Sequence, residues 1–238
     1  MVMMRLRLGL LLNDLQYRFK ILTGRVSRIF NSWISLMATC LKSIVFLPPL
    51  QTFQQKVPDC FKNFSDTRIV LDCTEIFIET PSALENKSLT YSSYKSHNTF
   101  KSLVGVSMTG AVVFLSNLWG SSASDVHITR NCGLLELLEE GDAVMVDKGF
   151  IHIQSDLKKG VKLYCPPFMS AKRNQFSKSE VECTRRIASA RIHVERKMEQ
   201  IKNFRILQGI LPISLSSKAD AIFFVCSALI NLLPPLVK

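Results

Sequence analysis

Two short apolar runs lead into aspartates: Ile69-Val70-Leu71 before Asp72, and Ala143-Val144-Met145-Val146 before Asp147. Around the first, Ile69 and Leu71, then Ile76 and Ile78, give an interrupted period-two alternation that suits a strand. The second reads as a short, fully apolar strand bounded by Gly141-Asp142 and Asp147-Lys148-Gly149. A carboxylate within or at the end of such a strand costs free energy unless it is paired or used. In open α/β sheets, ligands gather at the carboxyl ends of the strands.

The elements around these strands follow from the same pattern reading. The stretch 81–94 is polar and turn-like. Residues 100–119 predict two strands around a turn at Met108-Thr109-Gly110. Ser124 or Asp125 can cap a helix reaching Leu138, and Val161–Cys165 predicts a further strand. A long helix is expected from about Ser179 to Phe204, with Ile187, Ala190, Val194, Met198 and Ile201 forming its apolar stripe. A buried helix after Pro212 closes the chain. The middle therefore reads β-β-β-α-β-α-β-α, an α/β arrangement.

Residues 5–40 read as helices. Asn13 is placed to cap a helix over Asp14–Lys20, with Leu15 and Phe19 on one face. Thr23 is placed to cap a second, with Val26, Phe30, Trp33 and Met37 as its apolar stripe. Two helices joined by a tight turn fit a helix-turn-helix, with Arg25, Arg28 and Asn31 offered to phosphate or base edges. A small helical bundle packed on the next domain fits the same spacing. Pro48, Pro49 and Pro58 mark a linker over 48–66. The expected division is thus 1–47, 48–66 and 67–238.

Composition narrows the function. Hydrophobic residues make up 47% of the 238 and charged residues 21%, which excludes a disordered chain. The run from Ala221 to Leu233 is interrupted by Asn231 and follows Asp220, so it reads as a buried helix and no membrane partner is expected. The opening MVMMRLRLGLLL resembles a signal peptide until Asn13 and Asp14 cut it short. Seven scattered cysteines without a CxxC pair suit reduced thiols in an intracellular compartment, and four histidines without HxxxH spacing disfavour a zinc hydrolase.

The formal charge is +11, unevenly spread. Residues 1–60 carry eight Lys/Arg against two Asp/Glu, residues 61–160 nine against twelve, and residues 161–238 thirteen against five. Basic flanks suit a polyanion such as nucleic acid, although solvated surface charge gives the same count. An acidic middle would repel that ligand unless divalent cations bridged acid to phosphate.

Three acids could supply the cage: Asp72, Asp147 and Glu195, the last at the edge of the long helix's buried face. Three carboxylates in one pocket repel and need cations to stay ionised. Each also has a local alternative. Asp72 could hydrogen-bond Thr74 or cap a turn, Asp147 could open a turn with Gly149, and Glu195 could pair with Arg191 one helical turn back.

The segments LDCTEIFIE, YSSYKSHNTFKSLVGVSMTG, WGSSASD, GDAVMVDKGF and RIHVERKMEQIKNFRIL together resemble the DDE transposases, in the Harbinger-like, insertion-sequence-5-related branch. LLLNDLQYRFKILTGRVSRIFNSWI resembles the helix-turn-helix that precedes that nuclease domain. The resemblance implies an RNase H-like fold, a mixed five-stranded sheet with helices on both faces. It implies Asp72, Asp147 and Glu195 as catalytic, metal-binding triad, with two Mg²⁺ or Mn²⁺ ions and double-stranded DNA as substrate. Asp125 is a fourth acid near the site that a helix cap explains equally well. Around the triad, Lys95, His97, Lys148, Lys172, Arg173, Arg191, Arg196 and Lys202 are offered to DNA, with Tyr94 beside them. The second motif reads DKGF where the family pattern has DRGF, and Lys lacks the planar fork of Arg. Many relatives carry a zinc-finger module ahead of the helix-turn-helix, so the resemblance leaves room for a separate DNA-binding partner protein, and for a homodimer. A nuclear location is implied in a eukaryotic cell, otherwise an intracellular one. Two other functions compete: a domesticated or decayed transposase acting as a non-catalytic DNA-binding module, and a metal-dependent hydrolase of another phosphoester.

Overall fold

The computed structural model describes residues 1–54, 57–169 and 175–234. Its centre is the strand β1 (Thr67–Phe77), whose Ile69, Val70 and Leu71 are fully buried. The polar stretch after β1 forms a helix α5 (Leu84–Thr90) rather than turns, and β2 (Tyr91–Ser92) follows it. The strands β3 (His97–Val106) and β4 (Val112–Leu115) form the expected hairpin, closed by Gly110 with φ of 83°. Next come β5 (Trp119–Gly120), β6 (Ala143–Met145) and β7 (Lys162–Tyr164).

β1 lies antiparallel to β3 and parallel to β6, and β6 lies parallel to β7. β2, β5 and β4 pair in turn with successive stretches of β3. The sheet is mixed, as expected, but among the described residues it has seven strands instead of five. The reason is the outer neighbour of β3: one lane is broken into three short pieces, two of them only two residues long.

Between β5 and β6, Ser124 caps α6 (Asp125–Asn131), its hydroxyl accepting from the His127 N–H. The helix does not continue to Leu138. Gly133 with φ of 79° interrupts it, and α7 (Leu134–Leu137) follows. A 3₁₀ segment, Lys148–Asp156, joins β6 to β7. The long helix α8 (Lys178–Lys202) opens with a capping box between Ser177 and Glu180, two residues before the expected start. It packs on β1 and β3 with Ile187, Ala190, Val194 and Ile201 buried, while Met198 is half-buried. After α9 (Arg205–Gln208) and a 3₁₀ turn, the closing helix α10 (Ala219–Leu229) is buried nearly all round. Ile213–Leu232 reaches the length and mean hydropathy, 1.6, of a membrane span, but half of it is covered by the rest of the chain. That burial marks a core element, in keeping with the reading from sequence.

The N-terminal helices are α1 (Val2–Leu8), α2 (Leu12–Phe19) and α3 (Thr23–Cys40). α2 and α3 pack together across a three-residue turn in which Lys20 takes the left-handed conformation. Asn13 lies inside α2, not at its cap; Leu11 and Leu22 hold the cap positions of α2 and α3 without a side-chain bond. The buried stripe of α3 is Val26, Phe30 and Ile34, a strict i, i+4 row. Trp33 is 52% exposed and Phe19 41% exposed, so the apolar rows of both helices extend beyond their buried faces. Residues 48–66 do not behave as a loose connection. They form α4 (Gln51–Gln54) and a 3₁₀ turn, Asp59–Phe64, and Phe53, Phe61 and Phe64 enter the same core as Leu6, Phe30, Ile34 and the sheet.

Candidate active site

Strand register brings the first two acids together. Val70 is paired with Met145 in the parallel β1–β6 ladder, so two residues further along each strand Asp72 comes level with Asp147. Asp72 sits mid-strand and half-buried, and its Oδ1 accepts from the Cys73 N–H at 2.8 Å. Asp147 has left the sheet and caps the following 3₁₀ segment, its Oδ1 accepting from the Lys148 N–H at 2.7 Å. Asp147 thus combines a local turn role with a place in the site, whereas Asp72 bonds the Cys73 N–H within its strand rather than Thr74 or a turn.

Arg191 of α8 joins them. Its Nη2 lies 3.4 Å from Asp72 Oδ2 and its Nη1 lies 3.2 Å from Asp147 Oδ1. Its side chain is only 10% exposed, and its Nε is buried without a hydrogen-bond partner. The i−4 partner anticipated for Glu195 therefore has its ion pairs with the two strand aspartates. Burial pushes the Asp72 carboxyl up to about 6; Arg191 and the Cys73 N–H oppose the rise, while Asp147 and Asp125 add to it.

Asp72 and Asp147 border a cleft of about 810 Å³, lined also by Glu75, Tyr94, Lys95, Lys101, Asp125, Glu195, Glu199 and Lys202. Glu195 is exposed there, one helical turn beyond Arg191. Opposite, Lys101 Nζ lies 3.2 Å from Asp125 Oδ1 and 4.0 Å from Glu75 Oε1, and the Thr99 hydroxyl donates to Glu75 Oε2 at 2.7 Å. Burial lowers the Lys202 ammonium pKa and Lys95 lowers it further, against Glu75 and Asp72.

The other expected contacts are scattered. Lys95 is exposed at the cleft beside Tyr94, its ammonium 4.5 Å from that ring's centre. His97 is half-buried, stacks edge-on against Phe77, and its Nδ1 lies 3.0 Å from the Asn98 carbonyl. Lys148 lies over the rings of Phe168 and Phe176. Arg196 is exposed and adds to the lowering of the His193 pKa, which burial dominates. Lys172 and Arg173 lie outside the described residues. On α3, Arg25 and Arg28 are exposed, while Asn31 is half-buried with its Oδ1 unpartnered. Glu75, Lys101 and Glu199 were missed. The signal for the first two is a cross-strand acid–base pair, Glu75 opposite Lys101, which exists only once the β1–β3 register is known.

The donor chemistry suits a hard divalent cation, since carboxylate oxygens are what Mg²⁺ and Mn²⁺ take. The spacing does not yet suit one. Among the described residues, no three Asp, Glu, His or Cys side chains are close enough to share an ion, and a guanidinium stands between Asp72 and Asp147.

Comparison with known proteins gives two matches to family models. Residues 71–231, more than half of the chain, match the DDE superfamily endonuclease. Residues 1–43 match the helix-turn-helix of DDE superfamily endonuclease. No curated protein and no solved structure matches the chain. The span of the first match covers both strand aspartates and the helix that faces them, and on that ground the chain belongs to the DDE superfamily of endonucleases.

Proposed function

We propose that this chain is a divalent-metal-dependent DNA endonuclease of transposase type, with Asp72, Asp147 and Glu195 as its acidic triad. The observation that carries the reading is the meeting of Asp72 and Asp147 at one guanidinium, in a cleft that Glu195 also lines. A lane order of β4, β3, β1, β6, β7, with antiparallel pairing on one side of β1 and parallel pairing on the other, supports an RNase H-like assignment. The motifs quoted above support the Harbinger-like branch. Residues 1–47 would be the DNA-reading part and 67–238 the nuclease, joined through 48–66, with a nuclear location in a eukaryotic cell.

Divalent ions, when bound, would supply a nucleophile at neutral pH and stabilise the leaving oxygen of a phosphodiester. The chain's own contribution is position and charge. Lys95 and Lys202 flank the acids and would hold backbone phosphates on either side of the scissile bond. Lys101 is tied to Asp125 and Glu75 and keeps that wall of the cleft in place. Cutting would free a 3′ hydroxyl, and joining would be its in-line attack on a second duplex.

A second reading has one observation in its favour. Arg191 already offsets part of the acid pair's charge, as it would in a domesticated or decayed copy that only binds DNA. Supercoiled plasmid with Mg²⁺ or Mn²⁺ separates the two. We expect metal-dependent nicking by the wild type and its loss in Asp72→Ala, Asp147→Ala and Glu195→Gln. Tight DNA binding without nicking under either metal would establish the second reading, and nicking that survives Glu195→Gln would remove Glu195 from the triad.

A further inference from the structure

We infer that Arg191 is a resident cation that holds Asp72 and Asp147 together without metal and must withdraw before they can take a divalent ion. The inference rests on the assignment of those two aspartates as metal ligands.

The geometry is that of a plug. One guanidinium spans both carboxylates, with a separate nitrogen on each. Those carboxylates are the ones proposed to hold a divalent ion, and a positive group between them opposes the arrival of another. The guanidinium is also the only base recorded within ion-pair distance of either aspartate among the described residues.

The same group is poorly settled. A buried guanidinium needs its N–H donors satisfied, yet Nε has no partner. The contact to Asp72 is long for a charge-assisted bond, 3.4 Å against the usual 2.7–2.9 Å. Desolvated charges with incomplete hydrogen bonding gain little net stability from their pairing. The plug is therefore held by the acids' need for a counter-charge more than by good fit. Withdrawal is expected on the Asp147 side, because that aspartate is 52% exposed while Asp72 is 23% exposed. Lys202, the nearest base further along α8 that lines the same cleft, is shared between Glu75 and Asp72 only at longer range.

The test is Mn²⁺ titration of the full chain without DNA, by calorimetry and by the Mn²⁺ electron-spin signal. The proteins are wild type, Arg191→Gln, Arg191→Lys, Asp72→Asn and Asp147→Asn. Arg191→Gln should bind Mn²⁺ at least about tenfold more tightly than wild type, since a like charge beside the ion is gone. Arg191→Lys, which keeps the charge but not the fork, should lie between them. Without metal, Arg191→Gln should melt below wild type, and Mn²⁺ should restore it by more degrees than it adds to wild type. Equal or weaker binding by both Arg191 variants, with binding lost in the two aspartate variants, would overturn the inference and leave the metal-site assignment standing. Binding that persists in Asp72→Asn and Asp147→Asn, or no binding by any of the five proteins, would overturn both. If Arg191→Gln failed to fold, the comparison of Arg191→Lys with wild type would still decide.

Discussion

Arg68 shows how much a single side chain in this chain can carry outside the cleft. It is 5% exposed, its Nη1 lies 2.6 Å from Asp142 Oδ2, and it donates to the carbonyls of Pro48 and Leu137. Asp142, equally buried, also accepts from the Glu139 N–H. Removing one member leaves a desolvated charge, so Asp142→Ala should cost about 3–5 kcal/mol in urea unfolding. Arg68→Met combined with Asp142→Leu should recover most of that loss. None of this was legible in the sequence, where Arg68 looks like an ordinary flanking charge before an apolar run. Asp72 and Asp147 were legible for the opposite reason: a carboxylate within or ending an apolar strand is anomalous by itself. Glu195 was legible as a helix-edge acid. The ion pairs of its neighbour Arg191 with the two aspartates were not legible, because spacing along one helix reports local partners and is blind to the sheet beneath.

Among the elements, periodic ones were read best. The strand pair β3–β4, the short strand β6 and the long helix α8 lie within a few residues of their expected places, because their apolar repeats face one layer. The element α5 was missed, since a short polar helix has no apolar stripe to announce it. The break at Gly133 was missed because its left-handed backbone outweighs the helical pattern on either side. The start of β1 and the edge strand β7 illustrate a contact that only topology creates. Asp66, just before β1, accepts from Lys162 Nζ at 2.7 Å and from the Tyr164 hydroxyl at 2.8 Å. Burial alone would raise its pKa, but these two bonds, a backbone hydrogen bond and the charge of Lys162 together hold it below the ordinary 3.8. A depressed carboxylate stabilises the fold above its unfolded pKa, and that contribution disappears as pH falls through the folded one. Thermal melts should accordingly show Asp66→Asn below wild type at neutral pH, with the gap closing as pH drops below about 4. A gap that stays constant would assign the contact to packing instead.

Taken as one body, the molecule joins its two family regions through a continuous core. Leu6, Phe30 and Ile34 belong to the same buried cluster as Val70, Val104 and Val194, and Lys218 Nζ donates to the Ser35 hydroxyl at 2.9 Å. The packing of Phe53, Phe61 and Phe64 within 48–66 was not legible, because proline marks a bend without reporting what packs around it. Binding to duplex DNA should follow the basic flanks. Replacing Arg25 and Arg28 together by alanine should lower the slope of log affinity against log salt by about two, as measured by fluorescence anisotropy. An unchanged slope would move the DNA-contacting surface off α3.

The shared core has a mechanical corollary. Helices fused by side-chain packing to a sheet cannot wander as beads on a string do, so the gap between the arginines of α3 and the paired aspartates is set by packing and not by tether length. If α3 grips DNA and the aspartates cut it, as proposed, the molecule would carry its own yardstick, and the number of base pairs between grip and cut would be a constant.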